Sequence, residues 1–380
     1  MRGRILILTS RFGGGHLRAA EELRDVFSEM GWMADIFDPF LVNKKKYSLL
    51  QKLYRLVSIK IPFIWGLLFY LTDKFQFFQY FFEKDKKIIG EILKKIEDFN
   101  PNYVLSTYPM FDKIINKKIP DRNFLLGTVI TDSITINKTW LRGKSDHYFV
   151  IDPLSREKLL LSGIPNEKIY VTGFPTSSHP YCGEFEKRNK ILIVHYSKKR
   201  EIRRILKSLT GLRDYKLDVT TSGDVKFERK LKREFADFEG INIYHWIDGL
   251  KYKLGEYRYV ITKAGGAIVN EIINSDTVPV VVYITSGQEV GNALLLKKYN
   301  LGFVISGLSR KKGERVARLI GGISEKDYEK KLDAIRSFPY KNGAKKILKL
   351  LEDEISAVQN QLCQKGKTSS GDKGGEINLY

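Results

Sequence analysis

Four groups of residues in this chain have types and spacings suited to chemistry. The first is Phe12-Gly13-Gly14-Gly15-His16. Glycines let a backbone approach a ligand closely, and a helix opening there would turn free N–H groups toward an anion. Gly14 and Gly15 are therefore candidate ligand contacts. His16 would stand beside the ligand, where a neutral imidazole can take a proton from an alcohol. The second group is Thr131-Asp132, at the end of the apolar run Phe124–Ile130. Open α/β sheets bind ligands beyond the carboxyl ends of their strands, so Asp132 could orient or deprotonate an acceptor hydroxyl. Capping a turn is the other common use of Asp at such a place.

The third group is Ile261-Thr262-Lys263-Ala264-Gly265-Gly266, followed by a helical stretch with Glu271. A diphosphate would sit at that helix start, beside Lys263, Ala264, Gly265 and Gly266. Glu271, one to two turns in, would accept hydrogen bonds from two ribose hydroxyls. The fourth group, Ser286-Gly287-Gln288-Glu289-Val290-Gly291-Asn292, follows the apolar strand Val280–Ile284. Gln288, Glu289 and Asn292 form a polar fan of the kind that reads sugar hydroxyls. Two such turns in one half of the chain point to a nucleotide-sugar pocket.

These groups need strands and helices to hold them. Ile5–Leu8, the glycine turn, a helix with Ala19, Ala20, Leu23, Val26 and Phe27 on one side, and Met33–Phe37 make a βαβ unit. Strands are expected at 103–106, 124–131, 147–151 and 168–172, with a helix at 153–161. The polar stretch Thr176–Asn189 reads as a linker. A second series of strands is expected at 191–195, 217–221, 241–244, 259–262, 278–284 and 303–305, with helices between them as parallel sheets require. The predicted fold class is α/β, with two Rossmann-like domains (1–178 and 190–337) and a cleft between them. A closing helix within 338–360 and a disordered tail over 361–380 are expected to follow.

The 380 residues suit two domains. Lys and Arg number 65 against 44 Asp and Glu, a formal net charge of +21, which favours acidic lipid headgroups, phosphorylated ligands or nucleic acid. Between Asn43 and Lys87, ten basic residues face only Asp73, Glu83 and Asp85, interleaved with aromatics that include Phe63, Trp65, Phe69 and Tyr70. The longest uncharged stretch there, Ile61–Thr72, falls short of the ~20 residues a membrane span needs. Basic stems and aromatic bulk suit a segment lying in the headgroups of an anionic membrane, with Phe63, Trp65, Phe69 and Tyr70 touching lipid or acceptor. Core helices with wet lysines are the alternative. No nucleic-acid motif accompanies the charge, so no nucleic acid is expected as partner. Cys182 and Cys363 form no CxxC pair, and no secretory signal opens the chain. A cytoplasmic protein, peripheral on the inner face of the cell membrane, is expected.

Ser10-Arg-Phe-Gly-Gly-Gly-His16 with Ala19-Ala20, Thr131-Asp132 with Trp140, Val171-Thr-Gly-Phe-Pro175, Lys263–Gly266 with Glu271, and Gly287–Asn292 occur in this order. The set resembles the monogalactosyldiacylglycerol synthases and bacterial processive diacylglycerol glucosyltransferases, and more distantly the peptidoglycan N-acetylglucosaminyltransferases. The resemblance implies a GT-B fold and transfer, with inversion, of a hexose from UDP-glucose or UDP-galactose to a diacylglycerol-type lipid, with no metal and no cofactor. By position His16 would be the base, with Asp132 assisting and Trp140 on the acceptor side. Glu271 would hold the ribose, Gln288 and Glu289 the hexose, and Gly265–Gly266 the diphosphate; Asn292 belongs to the same motif.

Three departures stand out. Val194-His-Tyr-Ser-Lys-Lys-Arg200 replaces a glycine-rich loop, leaving Ser197 and Lys198–Arg200 as candidate phosphate contacts by charge. Asn137 stands where the family places a His, and Pro175-Thr-Ser-Ser178 replaces Pro-Val/Ile-Arg. A UDP-sugar epimerase of similar fold, and a catalytically degenerate membrane-associated protein that binds sugar nucleotides, stay open beside the transferase. The choice of hexose and the oligomeric state are left open by the sequence.

Overall fold

Apolar runs become strands and the amphipathic stretches between them become helices. The computed structural model describes residues 2–75, 83–179, 188–196, 198–285, 287–305, 307 and 311–354. The first sheet holds β1 (Arg4–Leu8), β2 (Met33–Phe37), β3 (Tyr103–Ser106), β4 (Leu125–Val129), β5 (His147–Val150) and β6 (Ile169–Val171). The second holds β7 (Lys190–Val194), β8 (Lys216–Thr220), β9 (Ile241–Tyr244), β10 (Tyr259–Lys263), β11 (Val278–Tyr283) and β12 (Phe303–Val304). The helices that matter below are α1 (Gly14–Glu29), α2 (Lys44–Lys60), α3 (Pro62–Lys74), α4 (Lys86–Phe99), α5 (Phe111–Lys118), α6 (Pro153–Leu161), α7 (Lys199–Leu209), α8 (Val225–Glu234), α9 (Leu250–Lys253), α10 (Gly266–Asn274), α11 (Gln288–Lys298), α12 (Lys312–Gly322), α13 (Glu325–Arg336) and α14 (343–354).

Both sheets are parallel, in the orders β2-β1-β3-β4-β5-β6 and β12-β11-β10-β7-β8-β9. Ile5 to Leu8 and Ile191 to Ile193 are buried without interruption, as expected of strands covered on both faces. In each sheet the strand order reverses beside the first strand. That opens a crevice at the carboxyl edge between β1 and β3, and another between β7 and β10. This is the GT-B arrangement.

Strand positions read from the sequence lie within a residue or two of the observed ones. The apolar run to Thr131 is shortened: β4 stops at Val129, and Thr131–Asp132 run past the sheet into the crevice. The chain then crosses back. Ala344, Ile347, Leu348 and Leu351 of α14 share one core with Ile5, Ala20, Leu23 and Phe27 of the first sheet, whereas Leu332 and Ile335 of α13 belong to the core of the second. The two crossings run side by side, Gly343 lying against the Phe174 carbonyl and Gly173 against that of Tyr340. Most of the expected linker, the end of the closing helix and the expected tail lie outside the described residues.

Candidate active site

The first half of the site forms at the β1/β3 crevice. α1 begins directly after β1, so its first turn holds His16 over the sheet edge. The His16 Nδ1 lies 2.8 Å from the Thr107 carbonyl and 2.9 Å from the Thr131 hydroxyl. A carbonyl only accepts, so Nδ1 carries the proton and Nε2 keeps its lone pair, the tautomer that a general base needs. Burial pushes the imidazole down to about 4, and the Thr107 bond offsets this only in part. The ring is therefore neutral at physiological pH. It packs edge-on to Tyr108 at 5.1 Å and against Trp140 at 5.7 Å.

Asp132 does not orient this histidine. Its Oδ2 accepts a 2.9 Å bond from Trp140 Nε1. Burial raises the carboxyl to about 6, the Trp140 bond opposing and nearby Glu289 adding to the rise. Thr107, at the end of β3, is the residue that fixes the ring. A threonine after an apolar strand carries no signal of its own, and only the strand order brings it beside His16. Trp140, 1% exposed, packs against His16 and donates to Asp132, a buried wall beside both residues.

The second half of the site forms at the β7/β10 crevice. α10 starts at Gly265–Gly266 with no side-chain cap, so its first N–H groups have no side chain satisfying them. Lys263 reaches Glu289, whose other oxygen accepts from the Thr285 N–H at 2.8 Å. Glu289 is thus buried and held within the protein, and it lines the cleft together with Gln288. Asn292 is buried too. Its Nδ2 donates to the Ala264 carbonyl at 2.9 Å, tying together the turns at Gly265 and Gly287. Glu271, also buried, accepts from Arg18 Nε of the opposite domain at 2.7 Å. Arg18 was not singled out in the sequence.

Ser197 and the side chain of Phe63 lie outside the described residues. Around Ser197, Lys199 pairs with Asp224 and Lys198 lies over the Tyr283 ring at 5.2 Å. Tyr196 stacks on Tyr283 and donates to Glu201 at 2.8 Å. Aromatic packing fills this turn. A further residue that the sequence reading missed is Trp246, which follows β9, lines the cleft and is 63% exposed. A lone Trp after a strand end was the available signal.

The two halves face each other across a cleft of about 1260 Å³, which brings together Gly14, Gly15, His16 and Asp132 from one side and Lys263, Gly265, Gly266, Glu271, Gln288, Glu289 and Asn292 from the other. Below the cleft the domains touch. Thr135 accepts from the Gly291 N–H at 3.1 Å, and its hydroxyl lies 3.1 Å from the Gly287 carbonyl, so a first-domain residue caps α11. Lys251 and Glu22 form a second cross-domain ion pair one helical turn from Arg18. Gly291 has no room for a side chain: a Cβ there would lie 1.6 Å from the Ser133 carbonyl oxygen. Gly291→Ala is expected to cost about 1–3 kcal/mol through this overlap. Thermal unfolding checks this, and a variant with unchanged Tm would mean that the seam is not closed in solution.

The basic, aromatic segment folds as α2 and α3. Leu49, Leu53, Leu56, Ile64, Leu67 and Tyr70 are exposed on these helices, a concentration of apolar surface that single exposed side chains do not explain. Trp65 is half-buried and lines the cleft. Phe69 points at Gly287. Among the described residues no helix is long and apolar enough to cross a membrane, and none of their His, Cys, Asp and Glu side chains gather in groups of three or more fit to hold a metal.

Residues 16–176 match the family described as monogalactosyldiacylglycerol (MGDG) synthase. The chain is 24% identical over 334 residues to the processive diacylglycerol beta-glucosyltransferase of Bacillus cereus (strain G9842), covering 80% of this chain and 82% of that one. It is 23% identical over 394 residues to the protein of the same name from Bacillus licheniformis, covering 94% and 96%. Among solved structures it resembles MurG of Acinetobacter baumannii, with a TM-score of 0.62 at 12% identity over 92% of this chain and 99% of that one. It also resembles the UDP-GlcNAc 2-epimerase of Neisseria meningitidis bound to UDP-GlcNAc, with a TM-score of 0.56 at 13% identity over 92% and 99%. Likeness at these identities speaks to the fold alone.

Proposed function

We propose that this hexosyltransferase of GT-B fold, a relative of the monogalactosyldiacylglycerol synthases and processive diacylglycerol glucosyltransferases, moves a hexose from UDP-glucose or UDP-galactose onto a diacylglycerol-type lipid, with inversion, at an anionic membrane surface. One observation carries the reading. An imidazole with its Nε2 lone pair available and an uncapped helix start line one cleft from opposite domains.

In this reading the acceptor hydroxyl gives its proton to His16 Nε2 as its oxygen attacks C1 of the sugar from the face opposite the diphosphate. The C1–O bond to UDP breaks, and the electron pair leaves with UDP. The N-terminus of α10 and the Lys263 ammonium stabilise that charge, the kind of electrostatic contribution that is usually the largest in such reactions. Trp246 offers a flat apolar face for the nucleobase. Glu271 turns from Arg18 to the ribose hydroxyls. The mechanism calls on no metal and no cofactor.

The lipid enters beside α2 and α3. Their exposed leucines would sit among acyl chains, and their lysines among anionic headgroups of the cytoplasmic leaflet. Trp65, between that surface and the cleft, marks the route inward.

The test is to incubate the protein with radiolabelled UDP-glucose or UDP-galactose and anionic vesicles containing diacylglycerol, then to separate the products by thin-layer chromatography. Label in a glycolipid with one donor is the expected result. Epimerised sugar nucleotide without glycolipid would favour the epimerase. UDP binding without any turnover would favour a sugar-nucleotide-binding protein.

A further inference from the structure

α3 has two apolar faces, and only one of them is turned to solvent. Ile64, Leu67, Tyr70 and Leu71 are exposed, whereas Trp65, Leu68, Phe69 and Thr72 are turned toward the protein. Phe69 reaches the donor domain. Gly287 has φ 89°, and a Cβ there would lie 2.7 Å from Phe69 Cγ. Glycine is therefore required at this turn twice over, by backbone conformation and by the ring stacked against it.

The rest of α3 is fixed to the acceptor loop. Asn137 Nδ2 donates to the Phe69 carbonyl at 3.1 Å and lies 3.2 Å from the Thr72 hydroxyl. The Lys138 N–H donates to Asp73 at 2.7 Å, and Arg142 donates to the Asp73 carbonyl at 2.9 Å. Thus Asn137, which replaces a histidine in the resemblance, serves here as a bracket for the helix. From the same loop Thr135 caps α11 through Gly291. The first turn of α11, which carries Gln288 and Glu289, is held on two sides by first-domain residues.

We propose that Phe69 is a positioning residue for donor binding: its ring, carried on the lipid-facing helix, holds the Gly287–Gln288 turn in the place where the donor sugar is read. The inference rests on the function proposed above and deepens it. It makes the helix that docks on lipid also the support of the donor turn, so a first-domain side chain that lies behind that turn contributes to donor affinity.

The test compares Phe69→Ala with Tyr70→Ala, neighbours in sequence of which the first faces Gly287 and the second solvent. UDP affinity is measured by calorimetry without vesicles, donor KM and kcat with them, and vesicle binding by co-sedimentation. Phe69→Ala is expected to raise the UDP-sugar KM about tenfold, a loss near 1.4 kcal/mol, with a smaller change in kcat and little change in vesicle binding. Phe69→Leu restores most of the affinity. Tyr70→Ala shows the opposite pattern, with its main loss in vesicle binding. Gly287→Ala, which crowds the same contact from the other side, raises the donor KM as well. An unchanged donor KM in Phe69→Ala, or a loss confined to vesicle binding, overturns the inference while leaving the proposed function standing. No UDP binding by the wild-type chain overturns both.

Discussion

His16→Ala is expected to lower kcat about a thousandfold, within the range that a positioned general base contributes, while the donor KM changes little. The reason is the tautomer. Thr107 accepts from Nδ1, so Nε2 is the only nitrogen able to take the acceptor proton, and alanine removes it without disturbing Lys263 or Gln288. A His16→Ala variant that transfers sugar at the wild-type rate would refute the assignment.

The same geometry sets the pH dependence. On acidification Asp132 takes up its proton first, near 6, and His16 follows near 4. Both shifts come from burial, which disfavours whichever form is charged. The acid limb of kcat/KM, which reports the free enzyme, is expected near pH 6 in the wild type. In Asp132→Asn it moves toward pH 4, at reduced activity, because an ionised carboxylate no longer supports the imidazolium through Trp140. A limb that stays near 6 in Asp132→Asn would mean that another group controls it.

Leu53→Glu combined with Leu67→Glu is expected to weaken binding to anionic vesicles by at least about a hundredfold. Each leucine is worth about 1.5–3 kcal/mol when buried in an apolar phase, and each new carboxylate adds repulsion of about 1 kcal/mol from acidic headgroups. Both leucines are half or more exposed, at 54% and 50%, so the fold should tolerate the change and Tm should move little. Transfer to diacylglycerol in vesicles should fall in parallel, while UDP binding in solution survives. Salt should weaken the wild-type interaction by screening its lysines. Vesicle binding that persists in the double variant would place the membrane surface elsewhere.

The extent to which this molecule is legible in its sequence depends on range. Parallel strands buried on both faces must be written as apolar runs, so Ile5–Leu8, Ile191–Ile193 and Val278–Val282 announce themselves. The turns that aim helix starts at the cleft require small residues, so Gly14–Gly15, Gly265–Gly266 and Gly287 announce the two half-sites. These are properties of a few consecutive residues, and periodicity records them. Alternation of strand and helix then leaves little choice but two doubly covered sheets.

Tertiary structure decided which side chain does what. Thr107 lies 91 residues from the His16 that it orients, and Arg18 lies 253 residues from the Glu271 that it holds. Thr135 caps a helix in the other domain, Trp140 turns inward to Asp132, and neighbouring Phe69 and Tyr70 part company across α3. None of these pairings leaves a mark in residue spacing. Each follows from strand order and from the way two finished domains meet, where shape and the need to satisfy buried polar groups choose the partner.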